Sequence, residues 1–280
     1  MIKLLQMIKF EHSVFALPFA VTSAIYASHP DVDYGKFAWI FAAMVSARSA
    51  AMAFNRIVDA AIDARNPRTQ DRHIPKGLIG RRQAWAFLAV MVGLFVLSAG
   101  MLNPTCLMCS PGVLVILFGY SMTKRLTWLC HFVLGISLGL APLGAWVAIR
   151  EKIELFPALL GCLVVFWVGG FDIIYSALDA DFDRREGLYS IPARFGIRAA
   201  LIISGLSHAI CVGVLIALNP LDPLYLAAIA PVIGMLVYQH AIVRPGDLAR
   251  ANVAFFNANV VVGLGVMVAL LLGLYYNGPK

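Results

Sequence analysis

The chain has 280 residues, 61% of them hydrophobic and 13% charged, with a mean hydropathy of +0.82 and a formal net charge of +7. Soluble domains carry roughly 45–50% apolar and about 25% charged residues, so this composition excludes an ordinary water-soluble globule. Apolar stretches of about 20 residues recur along the sequence, each long enough to cross a bilayer as a helix. They are too long and unbroken to be the alternating strands of a barrel, the other structure that satisfies its backbone in lipid.

The predicted fold is all-α, a polytopic membrane protein of nine transmembrane helices in a single domain over residues 1–280. In chain order the spans lie near 12–28, 37–62, 84–102, 106–122, 127–149, 157–182, 199–218, 224–242 and 252–275. Glu11 and His12 interrupt the start, so no cleavable signal is read there. The second span carries Arg48 and Arg56 and runs into a basic loop with Arg65, Arg68, Arg72 and Lys76. Cys106 and Cys109 fall in a short loop; zinc would need a second ligand pair, and none is nearby. In the fifth span Gly135, Gly139 and Gly144 are expected to allow close helix packing, with a kink at Pro142. Gly263 and Gly265 match no dinucleotide fingerprint, because no strand precedes them.

Charge sets the expected orientation. Sixteen Lys and Arg residues flank one set of span ends, against Lys36, Arg150, Lys152 and Lys280 at the other. The positive-inside rule places the N-terminus and the basic loops in the cytoplasm and, with nine spans, the C-terminus outside. The expected home is the inner (plasma) membrane, with the lipid bilayer as a partner. Loop charge accounts for the +7, so no nucleic-acid partner is read.

Two acidic patterns stand at the ends of apolar spans, Asn55-Arg56-x-x-Asp59-x-x-x-Asp63 and Asp172-x-x-Tyr175-x-x-x-Asp179-x-x-x-Asp183. Residues four apart share a helix face, so Asn55, Asp59 and Asp63 form one polar stripe and Asp172, Asp179 and Asp183 another. Asp181 points elsewhere. Each carboxylate costs roughly 2.5–3.5 kcal/mol at mid-membrane, so such rows are expected to be paired, to bind cations or to face water. Boundary ion pairs such as Asp63 with Arg65 and Asp183 with Arg184 are the plainer reading. Two rows facing across a cavity suit a hard divalent ion with oxygen ligands, Mg²⁺ before zinc, with phosphate completing the shell. Arg65, Arg68 and Arg72 after the first row, and Lys124 and Arg125 after the fourth span, supply bases for that phosphate. His12, His73 and His131 read more simply as interfacial residues.

These motifs resemble the paired aspartate signatures of the UbiA superfamily of intramembrane aromatic prenyltransferases. The resemblance spans K-F-E-H-S-V-F-A-L-P-F-A at 9–20, residues 47–69, Y-S-M-T-K-R at 120–125 and residues 172–196 with their S-I-P-x-R-F-G ending. It implies nine helices around a central cavity and Mg²⁺ as cofactor, one ion on Asn55, Asp59 and Asp63 and another on Asp179 and Asp183. It places Arg68, Arg72, Tyr120 and Lys124 on the diphosphate, Arg48 on the carboxylate of the acceptor, and Asp172 among the substrate-binding residues. Tyr175 would shield an allylic cation with its ring face. Arg56 stands where many relatives have Asp. The implied partners are a polyprenyl diphosphate and an aromatic acid, 4-hydroxybenzoate first and a dihydroxynaphthoate as the alternative; no obligate protein partner is implied. A divalent-cation transporter is the competing class, but its acids would be expected to form a path across the bilayer.

Overall fold

The computed structural model describes residues 2–9, 15–219 and 221–277, and no strand occurs among them. The helices are α1 (Ile2–Met7), α2 (Leu17–Ser28), α3 (Tyr34–Val58), α4 (Ala60–Asp63), α5 (Arg81–Leu102), α6 (Pro104–Thr123), α7 (Cys130–Arg150), α8 (Leu155–Ser176), α9 (Ala180–Arg185), α10 (Ile191–Leu218), α11 (Pro223–Ile242) and α12 (Ala251–Asn277). A 3₁₀ turn, Ala177–Asp179, separates α8 from α9. Among the described residues eight helical stretches are long and apolar enough to cross a membrane. The expected first span is represented by the 12-residue α2, about 18 Å at 1.5 Å per residue and short of a hydrocarbon core of about 30 Å; part of that span, with His12, lies outside the described residues.

Side-chain exposure fits a lipid environment. Val90, Val115, Ile202, Leu206 and Val237 all point outward, Val115 at 72% exposure. The hydroxyls of Thr22, Ser46, Ser98 and Ser137 donate back to carbonyls four residues earlier in their own helices, which satisfies them where water is scarce.

The chain divides into two compact units. The first comprises Met1–Ser13 and Asp33–Met122. In it α3 packs along α5, with Ala50, Ala53, Ile57, Ile79, Ala84 and Leu88 buried together with Met7 and Ile8. Phe54 stacks on Phe118 of α6 at a 4.7 Å centroid distance. Cys106 and Cys109 lie in α6, not in a loop; Asn103 starts that turn by accepting from the Cys106 N–H at 2.7 Å.

The second unit comprises Val14–Val32 and Thr123–Lys280. Its core is Trp167, Phe171 and Leu163 of α8 with Phe19, Cys211, Leu215, Tyr225, Ile229, Val262 and Leu270. Small residues let α7 and α8 approach. A Cβ on Gly135 would collide with the Val165 carbonyl and lie 2.9 Å from the Val165 Cα, and one on Gly139 would lie 2.9 Å from the Gly161 carbonyl. Gly144, expected to join them, faces open space. α7 continues through Pro142, whose carbonyl accepts from Ser23 Oγ at 2.6 Å. Polar ties bind further helices: Trp167 Nε1 and Gln239 Nε2 both donate to Asn259 Oδ1, at 3.0 and 2.8 Å, and His208 bridges His240 and the Trp167 carbonyl. α10 begins eight residues before the expected start of its span, because Ser190 caps it by accepting from the Ala193 N–H; the backbone bends at Gly196, φ 82°.

Candidate active site

The first acidic motif sits where α3 gives way to α4. Asp59 ends α3 with φ −91° and ψ −1°. Even so, the Asp59 N–H reaches the Asn55 carbonyl at 3.0 Å and the Asp63 N–H reaches the Asp59 carbonyl at 2.8 Å. The one-turn spacing therefore survives the break, and the predicted stripe is kept. Asn55 Nδ2 donates to Asp59 Oδ2 at 2.8 Å. Asp63 is buried and takes Arg72 Nη1 on both carboxylate oxygens, at 2.7 and 2.8 Å. The plainer ion-pair reading offered the adjacent Arg65 as its partner. The chain instead folds back after Asp63: Thr69 Oγ1 donates to the Asp63 carbonyl at 3.1 Å, and the Arg72 N–H donates to the Thr69 carbonyl at 3.0 Å. Asn66 Oδ1 accepts from the Arg68 N–H at 2.9 Å, shaping this turn and leaving Arg68 on its exposed side.

Arg56 has a place that its position in the motif did not reveal. It is 9% exposed, donates from Nε to the Met7 carbonyl at 3.2 Å, and touches Asn55 Oδ1 from Nη1 at 3.4 Å. It thereby staples the end of α1 to α3 and turns the Asn55 amide nitrogen toward Asp59. Arg48 lies half-buried on α3, two turns before Asn55. Tyr120 is half-buried near the end of α6, its hydroxyl 4.0 Å from Met52 Sδ.

The second motif belongs to the second unit, and its helix does not run through. α8 stops at Ser176, where the Ala177 N–H is shared among the carbonyls of Ile173, Ile174 and Tyr175. Asp172 and Tyr175 therefore lie on α8, Asp179 ends the 3₁₀ turn and Asp183 lies on α9. The single three-acid stripe predicted for a continuous helix is instead distributed over three consecutive elements. Asp183 is fully buried, 2.8 Å from Lys124 Nζ, and accepts from Ser190 Oγ at 3.0 Å. Burial works against the Lys124 ammonium, but the Asp183 carboxylate outweighs it and raises the lysine pKa above its ordinary value. Asp179 is buried beside this pair and adds to the pull on Lys124. Arg184, the neighbour that the plainer ion-pair reading offered to Asp183, holds the exposed Asp181 at 3.0 Å instead. Tyr175 is half-buried one turn after Asp172.

His131, set aside as interfacial, is 1% exposed and occupies a junction. Its Nδ1 lies 2.7 Å from Asp172 Oδ2, and its Nε2 accepts from the Ile191 N–H at 3.2 Å. Around it the Tyr189 N–H donates to the Lys124 carbonyl at 2.7 Å, and Cys130 Sγ donates to the Tyr189 carbonyl at 3.4 Å.

Both motifs thus present carboxylates at helix breaks, each with a base already seated on it. The family to which this arrangement belongs is decided by comparison with known proteins, because the chain matches the UbiA prenyltransferase family over residues 16–276. The chain belongs to that family. A UbiA homolog from Aeropyrum pernix K1 is 35% identical, with a TM-score of 0.84 over 94% of this chain and 98% of that one. A 4-hydroxybenzoate octaprenyltransferase of Aliivibrio fischeri (strain MJ11) is 30% identical over 83% of this chain and 82% of its own length. A UbiA homolog from Archaeoglobus fulgidus, described as bound to GPP and Mg2+, shares the fold at 17% identity and a TM-score of 0.72. The protein is therefore a multi-pass membrane prenyltransferase with the UbiA fold. Within that family its donor groups suit a hard cation: the first motif offers carboxylate and amide oxygens, the second carboxylates, and neither offers His or Cys. In neither unit do three described His, Cys, Asp or Glu side chains form a closed metal cage.

Proposed function

We propose that the protein transfers a polyprenyl group from a polyprenyl diphosphate to the ring of an aromatic acid, 4-hydroxybenzoate, in quinone biosynthesis. In this reading Asn55, Asp59 and Asp63 hold one Mg²⁺ and Asp179 and Asp183 another. When bound, the metal neutralises the charge that develops on the diphosphate as the allylic carbon–oxygen bond breaks. Arg68, Arg72, Tyr120 and Lys124 bind and orient the diphosphate, Arg48 takes the acceptor carboxylate, and the Tyr175 ring shields the allylic cation from water. The ring carbon bonds to the allylic carbon, and the proton it carried passes to the released diphosphate or to water. The basic loops face the cytoplasm of an inner-membrane enzyme. The observation that carries the reading is the pairing of a buried motif carboxylate with a basic side chain in each unit, Asp63 with Arg72 and Asp183 with Lys124. It supplies acid for metal and base for phosphate side by side. Support for the acceptor comes from the 30% identical relatives named 4-hydroxybenzoate octaprenyltransferase.

The test uses membranes containing the protein, Mg²⁺, a polyprenyl diphosphate and both 4-hydroxybenzoate and a dihydroxynaphthoate. Prenylated hydroxybenzoate is expected, and the Asp59→Asn and Asp179→Asn variants should express normally and form none. Consumption of the naphthoate would reassign the acceptor, and full turnover in both variants would overturn the mechanism.

A further inference from the structure

Asp172 is a carboxylate on a membrane-spanning helix whose hydrogen-bond partner is an imidazole. An ionisable group kept in such a segment at several kcal/mol of insertion cost marks a functional position. Its side chain is 22% accessible, whereas that of His131 is 2% accessible. The acid is open to a ligand and the imidazole behind it is sealed.

The geometry fixes the state of the imidazole. The Ile191 N–H can only donate, so His131 Nε2 must present its lone pair, and the ring proton sits on Nδ1 and points at Asp172 Oδ2. His131 also has no freedom to turn. Ile191 opens α10, and its N–H is one of the amides that a helix start leaves without an internal partner. Ser190 Oγ accepts from the Ala193 N–H in the same turn, and Cys130, the residue before His131, holds the Tyr189 carbonyl. The ring is thus clamped between a helix N-terminus and an acid on a neighbouring helix.

We propose that His131 is a positioning residue for the acceptor. It holds Oδ2 of Asp172 so that the other carboxylate oxygen accepts a hydrogen bond from the hydroxyl of the aromatic substrate. This rests on the prenyl transfer proposed above. A phenol that donates to a carboxylate carries more electron density in its ring, which favours attack by an allylic electrophile, and no proton need move for that effect. Tyr175, one turn further along α8, offers a ring on the same side. The His131 imidazole itself touches no substrate.

The experiment is a double-mutant cycle on the full-length protein in membranes, with Asp172→Asn, His131→Leu, the pair, and His131→Gln. A glutamine can accept from the Ile191 N–H and donate to Asp172 at once. His131→Leu should raise the KM for the aromatic acid roughly ten- to hundredfold, the usual worth of a charge-assisted hydrogen bond, while the KM for the prenyl diphosphate and the Mg²⁺ requirement stay put. His131→Gln should restore most of the loss, and His131→Leu should cost nothing further in the Asp172→Asn background. A purely structural histidine would raise both KM values and add its effect to that of Asp172→Asn; that outcome, or an unchanged His131→Leu, overturns the proposal. A wild type that prenylates no aromatic acid at all would instead overturn the function on which it rests.

Discussion

Replacing Arg72 with glutamine removes the guanidinium and strands the Asp63 carboxylate. The Asp63 side chain is 7% exposed and that of Arg72 28% exposed, and both carboxylate oxygens lie within 2.8 Å of one guanidinium nitrogen. Removing one partner of a buried ion pair costs about 3–5 kcal/mol, and the partial exposure of Arg72 puts this pair near 3 kcal/mol. At about 2–4 °C per kcal/mol for a chain of this size, the melting temperature should fall by about 6–12 °C. The double change Asp63→Asn with Arg72→Gln removes the stranded charge and should recover most of that loss. A divalent ion can take the place that the guanidinium vacates, so 5–10 mM Mg²⁺, a concentration on the order of a weak carboxylate site, should raise the melting temperature of Arg72→Gln more than that of wild type. Differential scanning fluorimetry of detergent-purified protein, with and without chelator, reads both effects. A variant that melts within about 2 °C of wild type in chelator, or gains no more from Mg²⁺ than wild type does, would show that Asp63 does not depend on Arg72.

Two further outcomes follow from packing and hydrogen bonding. Gly135→Ala should cost about 1–3 kcal/mol, since its methyl group meets Val165 backbone, whereas Gly144→Ala, facing open space, should be neutral or slightly stabilising; equal melting temperatures for the two would contradict the α7–α8 packing. Arg56→Met should release the end of α1 from α3 by deleting the Nε bond to the Met7 carbonyl, and trypsin cleavage after Lys3 or Lys9 should quicken by about tenfold. Unchanged cleavage would remove Arg56 from that role.

Much of the fold was legible because lipid simplifies the code. A helix that must bury about 20 apolar residues announces itself, so α5, α6, α7, α11 and α12 lie within a few residues of their expected bounds. The stops were harder. Neither Gly nor Pro marks the end of α8 at Ser176: the apolar pattern runs on through Ala177, Leu178 and Ala180, and the break appears only in how the Ala177 N–H shares its acceptors. The N-terminus of α10 was missed for the opposite reason. Its cap Ser190 and following Pro192 are ordinary start signals, but Arg194 and Arg198 break the apolar pattern over its first turns.

Site residue types were legible, and their partners were not. Periodicity states which face a side chain occupies and is silent on what it meets across space. Asp63 reads as a neighbour of Arg65 until the 66–72 turn brings Arg72 back onto it. His131 reads as an interfacial residue until α8 supplies an acid 41 positions away. These pairings bear on the chemistry. Asp63 and Asp183 already have counterions, Arg72 and Lys124; under the proposed function a metal held by either would displace a base, and that base would be free to meet the diphosphate. An exchange of this kind keeps each buried charge compensated in both states, which would let two acid clusters persist in a membrane protein before substrate is present.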